Sequence, residues 1–98
     1  MKHFIVNLKY IVPIETIDKY LTGHRAFLDQ GYEKKILLTS GPKNPRDGGI
    51  LIARAKTLDE LKKFCSQDPF SLSNCAEYSF EEFIPVKFQA QFSDWFLT

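Results

Sequence analysis

Lys35-Ile36-Leu37-Leu38-Thr39-Ser40-Gly41-Pro42-Lys43-Asn44-Pro45-Arg46-Asp47-Gly48-Gly49-Ile50-Leu51-Ile52-Ala53-Arg54-Ala55 is the stretch that decides the fold. Its ends hold two apolar runs, Ile36-Leu37-Leu38 and Ile50-Leu51-Ile52, while Gly41 to Gly49 is dense in turn formers. The reading is strand over 35–40, loop over 41–49, strand over 50–55. Upstream, Ile14, Ile17, Leu21, His24 and Leu28 recur at steps of three and four, which predicts a helix from about Ile14 to Gln30, opened by Pro13 and stopped by Gly31. Before it, Phe4, Val6, Leu8 and Tyr10 fall on one face and His3, Asn7 and Lys9 are among the residues on the other, a strand over 3–10. Downstream, Thr57-Leu58-Asp59-Glu60 fits a capping box at the start of a second helix, with Leu58, Leu61, Phe64 and Cys65 inward. A short turn at Pro69-Phe70-Ser71 leads to a last strand from Ala76 to about Lys87. Phe88, Phe92, Trp95 and Phe96 then fall at helical spacing in a tail.

The order is β-α-β-β-α-β, an α+β ferredoxin-like plan. Right-handed crossovers put both helices on one side of the sheet and leave the other face open. Yet the two central runs are apolar on both faces, as strands covered on both sides are. A second copy of the chain is the economical cover. The expectation is a symmetric homodimer packed sheet against sheet, each subunit forming half of a dimeric α/β barrel. Phe92, Trp95 and Phe96 are a candidate contact for higher assemblies.

The whole chain of 98 residues reads as a single domain, 44% hydrophobic, with nine Phe and four Tyr for bulky packing. A net charge of +1 gives no electrostatic case for nucleic acid or an anionic membrane surface. The order also occurs in RNA-recognition domains, but those stack bases on strand aromatics, and Ile50-Leu51-Ile52-Ala53 has none. Cys65 and Cys75 do not form a disulfide framework, and Cys65 reads as a small core residue. Two histidines and two cysteines at unrelated positions give no metal-ligand spacing, and no glycine motif cradles a phosphate. Polar residues interrupt the N-terminal stretch too early for a signal peptide, and no apolar run nears membrane-spanning length. A cytoplasmic protein is expected.

The candidate chemistry starts from His24, a polar residue in the middle of an apolar helix face. A core histidine with a backbone partner accounts for such a position as well as a catalytic one does. Asp68, in Gln67-Asp68-Pro69-Phe70, is the partner with matching chemistry. Its bland role is that of an N-cap before proline, and the two roles are compatible, one oxygen on the backbone and the other on a ring nitrogen. Asp29 is the alternative, but it points to a different helix face. Ser40, at the end of a strand, can donate to a ligand, and Gly41 lets backbone approach closely. Of the loop cations Lys43 and Arg46, Arg46 has the forked donors suited to an anionic group. Glu82 shares the inner face of the last strand, where a bulge would turn it outward.

Gly23-His24-Arg25-Ala26-Phe27-Leu28, Leu38-Thr39-Ser40-Gly41-Pro42, Gly49-Ile50-Leu51-Ile52 and Asp68-Pro69-Phe70 together resemble the YciI-like, or YCII-related, proteins. The resemblance runs from the first strand through the last. It implies a ferredoxin-like dimeric α/β barrel and a histidine–aspartate pair in a cleft, matching His24 and Asp68, with a role in acid–base chemistry. Sibling families of the same superfamily act on small aromatic or lactone compounds. Two functions stand. In one, the chain is a cofactor-independent enzyme of lyase or isomerase type, with His24 and Asp68 catalytic and Ser40 and Arg46 at the substrate. In the other, it is a ligand-binding or interaction module of the same fold whose pair is architectural.

Overall fold

In the computed structural model, which describes residues 1–98, Phe4, Val6 and Leu8 lie buried along one face of strand β1 (Lys2–Tyr10). Burial of each such side chain stabilises the fold by about 1.5–3 kcal/mol. Helix α1 (Ile14–Glu33) follows, then β2 (Leu37–Pro42), β3 (Gly48–Ala55), α2 (Leu58–Cys65), the single turn α3 (Pro69–Leu72) and β4 (Ala76–Phe83). The antiparallel sheet has the order β2-β3-β1-β4. Ile17 of α1, and Leu61 and Cys65 of α2, pack with Phe4, Val6, Leu8, Leu51 and Ala53 in one core, so the helices cover one face. This is the α+β ferredoxin-like fold that the strand–loop–strand stretch predicts.

The local differences have physical causes. Helix α1 does not stop at Gly31. A Cβ there would stand 2.7 Å from Leu37 Cδ1 and 2.8 Å from Phe64 Cζ, so the glycine serves close packing inside the helix. The stop comes later. Lys35 takes φ 59°, its N–H bonds the Tyr32 carbonyl, and the Ile36 N–H reaches the Gly31 carbonyl, which is a Schellman end. Strand β3 begins at Gly48, two residues earlier than the apolar run suggests. Only glycine fits, because a Cβ would lie 1.9 Å from the Leu8 carbonyl oxygen. At α2, Thr57 caps through its hydroxyl, which accepts from the Glu60 N–H at 3.1 Å. Strand β4 ends at Phe83, short of Lys87, and Ile84 and Val86 beyond it are exposed. Glu82 sits opposite Phe4 in unbroken register, so no bulge turns it; it lies at the edge strand, exposed, 4.0 Å from Lys2.

The sheet's second face is partly covered by the chain itself. After a 3-10 turn (Ala90–Phe92), helix α4 (Ser93–Leu97) folds back onto the end of β1 and β3. Arg54, 7% exposed, donates from Nη1 to the Trp95 carbonyl at 2.6 Å and to Thr98 Oγ1 at 2.8 Å, and from Nε to the Lys35 carbonyl at 2.7 Å. Trp95 lies 5.3 Å from the guanidinium and donates from Nε1 to the same Lys35 carbonyl. His3, opposite Arg54 in the ladder, is wedged against Trp95 and Phe96 at 5.4 Å each. Ile5, Ile50 and Ile52 remain half-buried on this face.

Candidate functional site

Asp68 is fully buried at the start of α3, where Pro69 takes the first helical position. Its Oδ1 accepts from the Phe70 N–H at 3.1 Å, the capping bond. The His24 Nδ1–H donates to the same carboxylate, 2.8 Å from Oδ1 and 2.9 Å from Oδ2. The Tyr78 hydroxyl of β4 donates to Oδ2 at 2.5 Å. One carboxylate thus ties α1, α3 and β4 together. Burial first, then the Asp68 charge and its hydrogen bond, pushes the Tyr78 phenol far above its ordinary value, so it stays a donor. Burial and the same charge push the Cys65 thiol up to about 12, which makes it an inert core group.

His24 is held from a second direction. Its ring stacks on Phe70 with centroids 4.0 Å apart and planes 12° from parallel. Asp68 engages Nδ1 and Phe70 covers one face, so the ring cannot turn over. Nε2 is the nitrogen without a protein partner, and the ring lines a cavity of about 330 Å³. A neutral imidazole donating from Nδ1 carries its lone pair on Nε2, so the arrangement can take a proton from a bound molecule.

Ser40 and Arg46 line the same cavity, together with Leu8, Leu21 and Leu51. Ser40 reaches it through a bulge. Leu37 pairs with Ala53 and Ser40 with Leu51, so both face the helices although they are three positions apart. The extra residue between Leu37 and Thr39 makes that possible. The Ser40 hydroxyl is 2.6 Å from the Tyr32 hydroxyl. Arg46 Nη2 donates to Asp18 on α1 at 2.8 Å, which ties the loop to the helix and raises the guanidinium's pKa. Lys43 does not line the cavity, and Asp29 makes no bond to His24.

Sequence reading misses Tyr78, Phe70 as a stacking partner, Asp18 and Arg25. A signal exists for Tyr78: it lies on the inner face of the last strand, where a hydroxyl needs a partner. Arg25, beside His24, also lines the cavity. No three His, Cys, Asp or Glu side chains come together as a metal site requires.

The profile of the YCII-related domain matches residues 1–84. Among solved structures, 5-chloro-2-hydroxyhydroquinone dehydrochlorinase (TftG) from Burkholderia phenoliruptrix AC1100, in complex with 2,5-dihydroxybenzoquinone, superposes with a TM-score of 0.72. The two sequences are 21% identical, and the match covers 83% of this chain and 92% of the dehydrochlorinase. At that identity the likeness is one of fold. No curated protein matches the sequence.

Proposed function

The chain belongs to the YCII-related domain family, and from that premise we propose that it is a small enzyme in which His24 and Asp68 perform acid–base chemistry of lyase or isomerase type. The substrate is a small, preferably aromatic organic molecule, and no cofactor is required. One observation supports this above the others: the two nitrogens of His24 have separate fates. Nδ1 is committed to a buried carboxylate, and Nε2 is unpartnered on a ring that borders an open cavity. Asp68 fixes the tautomer and stabilises the imidazolium that forms when Nε2 takes a proton. Return of that proton to a leaving group completes an elimination; return to another carbon completes an isomerisation. The named substrate of the dehydrochlorinase and the ligand in its complex are single-ring compounds, which supports the choice of substrate class. Ser40 and Arg46 contact the substrate from the cavity wall.

The proposal includes a homodimer joined through the sheet faces, where Ile5, Ile50 and Ile52 stay half-buried, and a cytoplasmic setting. No helix is long and apolar enough to cross a membrane. A binding module is the second reading, and the bonds at Asp68 favour it: the carboxylate is fully used by the fold. A screen of small phenols, quinones and lactones against the parent protein and His24→Ala separates the two. His24-dependent conversion supports the enzyme. A lowered melting temperature with no His24-dependent conversion of any compound leaves the module.

A further inference from the structure

The cavity beside His24 has a sign. Its lining includes two arginines, Arg25 and Arg46, and no Asp or Glu; Asp68 stands behind the imidazole, out of contact with solvent. Most of the remaining wall is apolar, and apolar walls strengthen a charge's reach by excluding water. The two cations differ in availability. Arg46 is paired with Asp18 at 2.8 Å, so its charge is already offset. Arg25 takes part in no ion pair and no side-chain hydrogen bond of the chain. It follows His24 directly, about 100° further round α1. A volume of about 330 Å³ is at the small end for ligand pockets and suits one ring.

We propose that Arg25 is the specificity-determining residue of this site, and that the site takes a single-ring compound bearing an ionised carboxylate or phenolate. The guanidinium fork binds the anionic group, the ring lies against the leucines, and the reacting proton comes to His24 Nε2. The last of these statements rests on the acid–base reading above; the anion preference does not.

Binding measured without turnover tests the preference. Benzoate and its uncharged counterpart benzamide are titrated into the full chain, with the His24 ring resonances followed by NMR. The pair 4-nitrophenolate and 4-nitroanisole does the same for a phenolate. The anion of at least one pair should bind about tenfold tighter than its neutral partner, the gain of one charge-assisted hydrogen bond. Arg25→Gln should erase that preference, Arg25→Lys should retain part of it, and Arg46→Gln should cost less. Equal binding of charged and neutral probes, a preference that survives Arg25→Gln, or no movement of the His24 resonances at millimolar anion overturns the proposal. An anion preference that depends on Arg25, in a protein whose His24→Ala variant converts compounds unchanged, sinks the acid–base reading and leaves this inference standing.

Discussion

The chain has two histidines, and the fold gives them opposite surroundings. His24 meets a carboxylate at one nitrogen and an open cavity at the other. His3 is 6% exposed, packs against Trp95 and Phe96, and has a buried Nε2 with no partner. Its pKa lies below the ordinary 6.5, through burial first, then the N-terminal ammonium and Arg54, with the backbone of Trp95 opposing. The same imidazole therefore borders an open cavity on one face of the sheet and is a packing group on the other. What separates them is the sign of the neighbouring charge and whether the second nitrogen has room for a ligand.

The comparison breaks most sharply at Asp68. In Asp68→Asn the amide oxygen can still cap Phe70, but it cannot also serve both the His24 and Tyr78 donors. An amide N–H facing Nδ1 moves the imidazole proton to Nε2, which removes the lone pair that the proposed chemistry uses. Turnover of any compound that the parent converts should fall about 10²–10⁴-fold. Chemical denaturation should show a loss of about 1–3 kcal/mol. Full turnover in this variant would remove Asp68 from the chemistry.

Next comes the opposite face. Arg54→Leu removes the donor to the Trp95 carbonyl and the Thr98 hydroxyl, and leaves the Lys35 carbonyl only its bond from Trp95 Nε1. The tail should loosen, at a cost of about 1–3 kcal/mol. Trp95 is the sole tryptophan, so a red-shifted emission reports the change directly. Emission identical to that of the parent would show that the aromatic contacts hold α4 without the arginine.

The smallest effect concerns His3 and pH. The folded state binds its proton less readily than the unfolded state does, so just below pH 6.5 the unfolded chain carries more protons. Stability therefore rises with pH through that window and is lost on acidification below about 6.5. His3→Phe should flatten the pH dependence of the Trp95 emission and of the melting temperature. An unchanged slope would assign the acid sensitivity to other groups.

The order of elements and the His24–Asp68 contact are legible in the sequence because each follows from a local rule. Helical spacing turns His24 inward, and aspartate before proline starts a helix turn. Their meeting needs only both helices on one side of the sheet. The bulge in β2 is not legible, since pairing with β3 decides it rather than the identity of Leu38. Gly31 reads as a stop in isolation; its reason for being glycine is supplied by Leu37 and Phe64 from other elements. Asp18 as the partner of Arg46 is a contact between α1 and a distant loop, with no periodicity behind it. The apolar second face is legible, but half of the answer lies in the tail. Trp95 and Phe96 cover the end that His3 and Arg54 occupy, and a second copy is proposed only for the remainder.

The position of Asp68 also bears on what can be inferred from drift. Because it caps a turn and receives bonds from α1 and β4, a descendant that lost all activity would still pay in stability for discarding it. Folding alone would preserve the pair as a relic. Arg25 has no such protection, since no ion pair or side-chain hydrogen bond of the fold depends on it. Among descendants of this chain, persistence of Asp68 would testify to architecture, and persistence of Arg25 to a ligand.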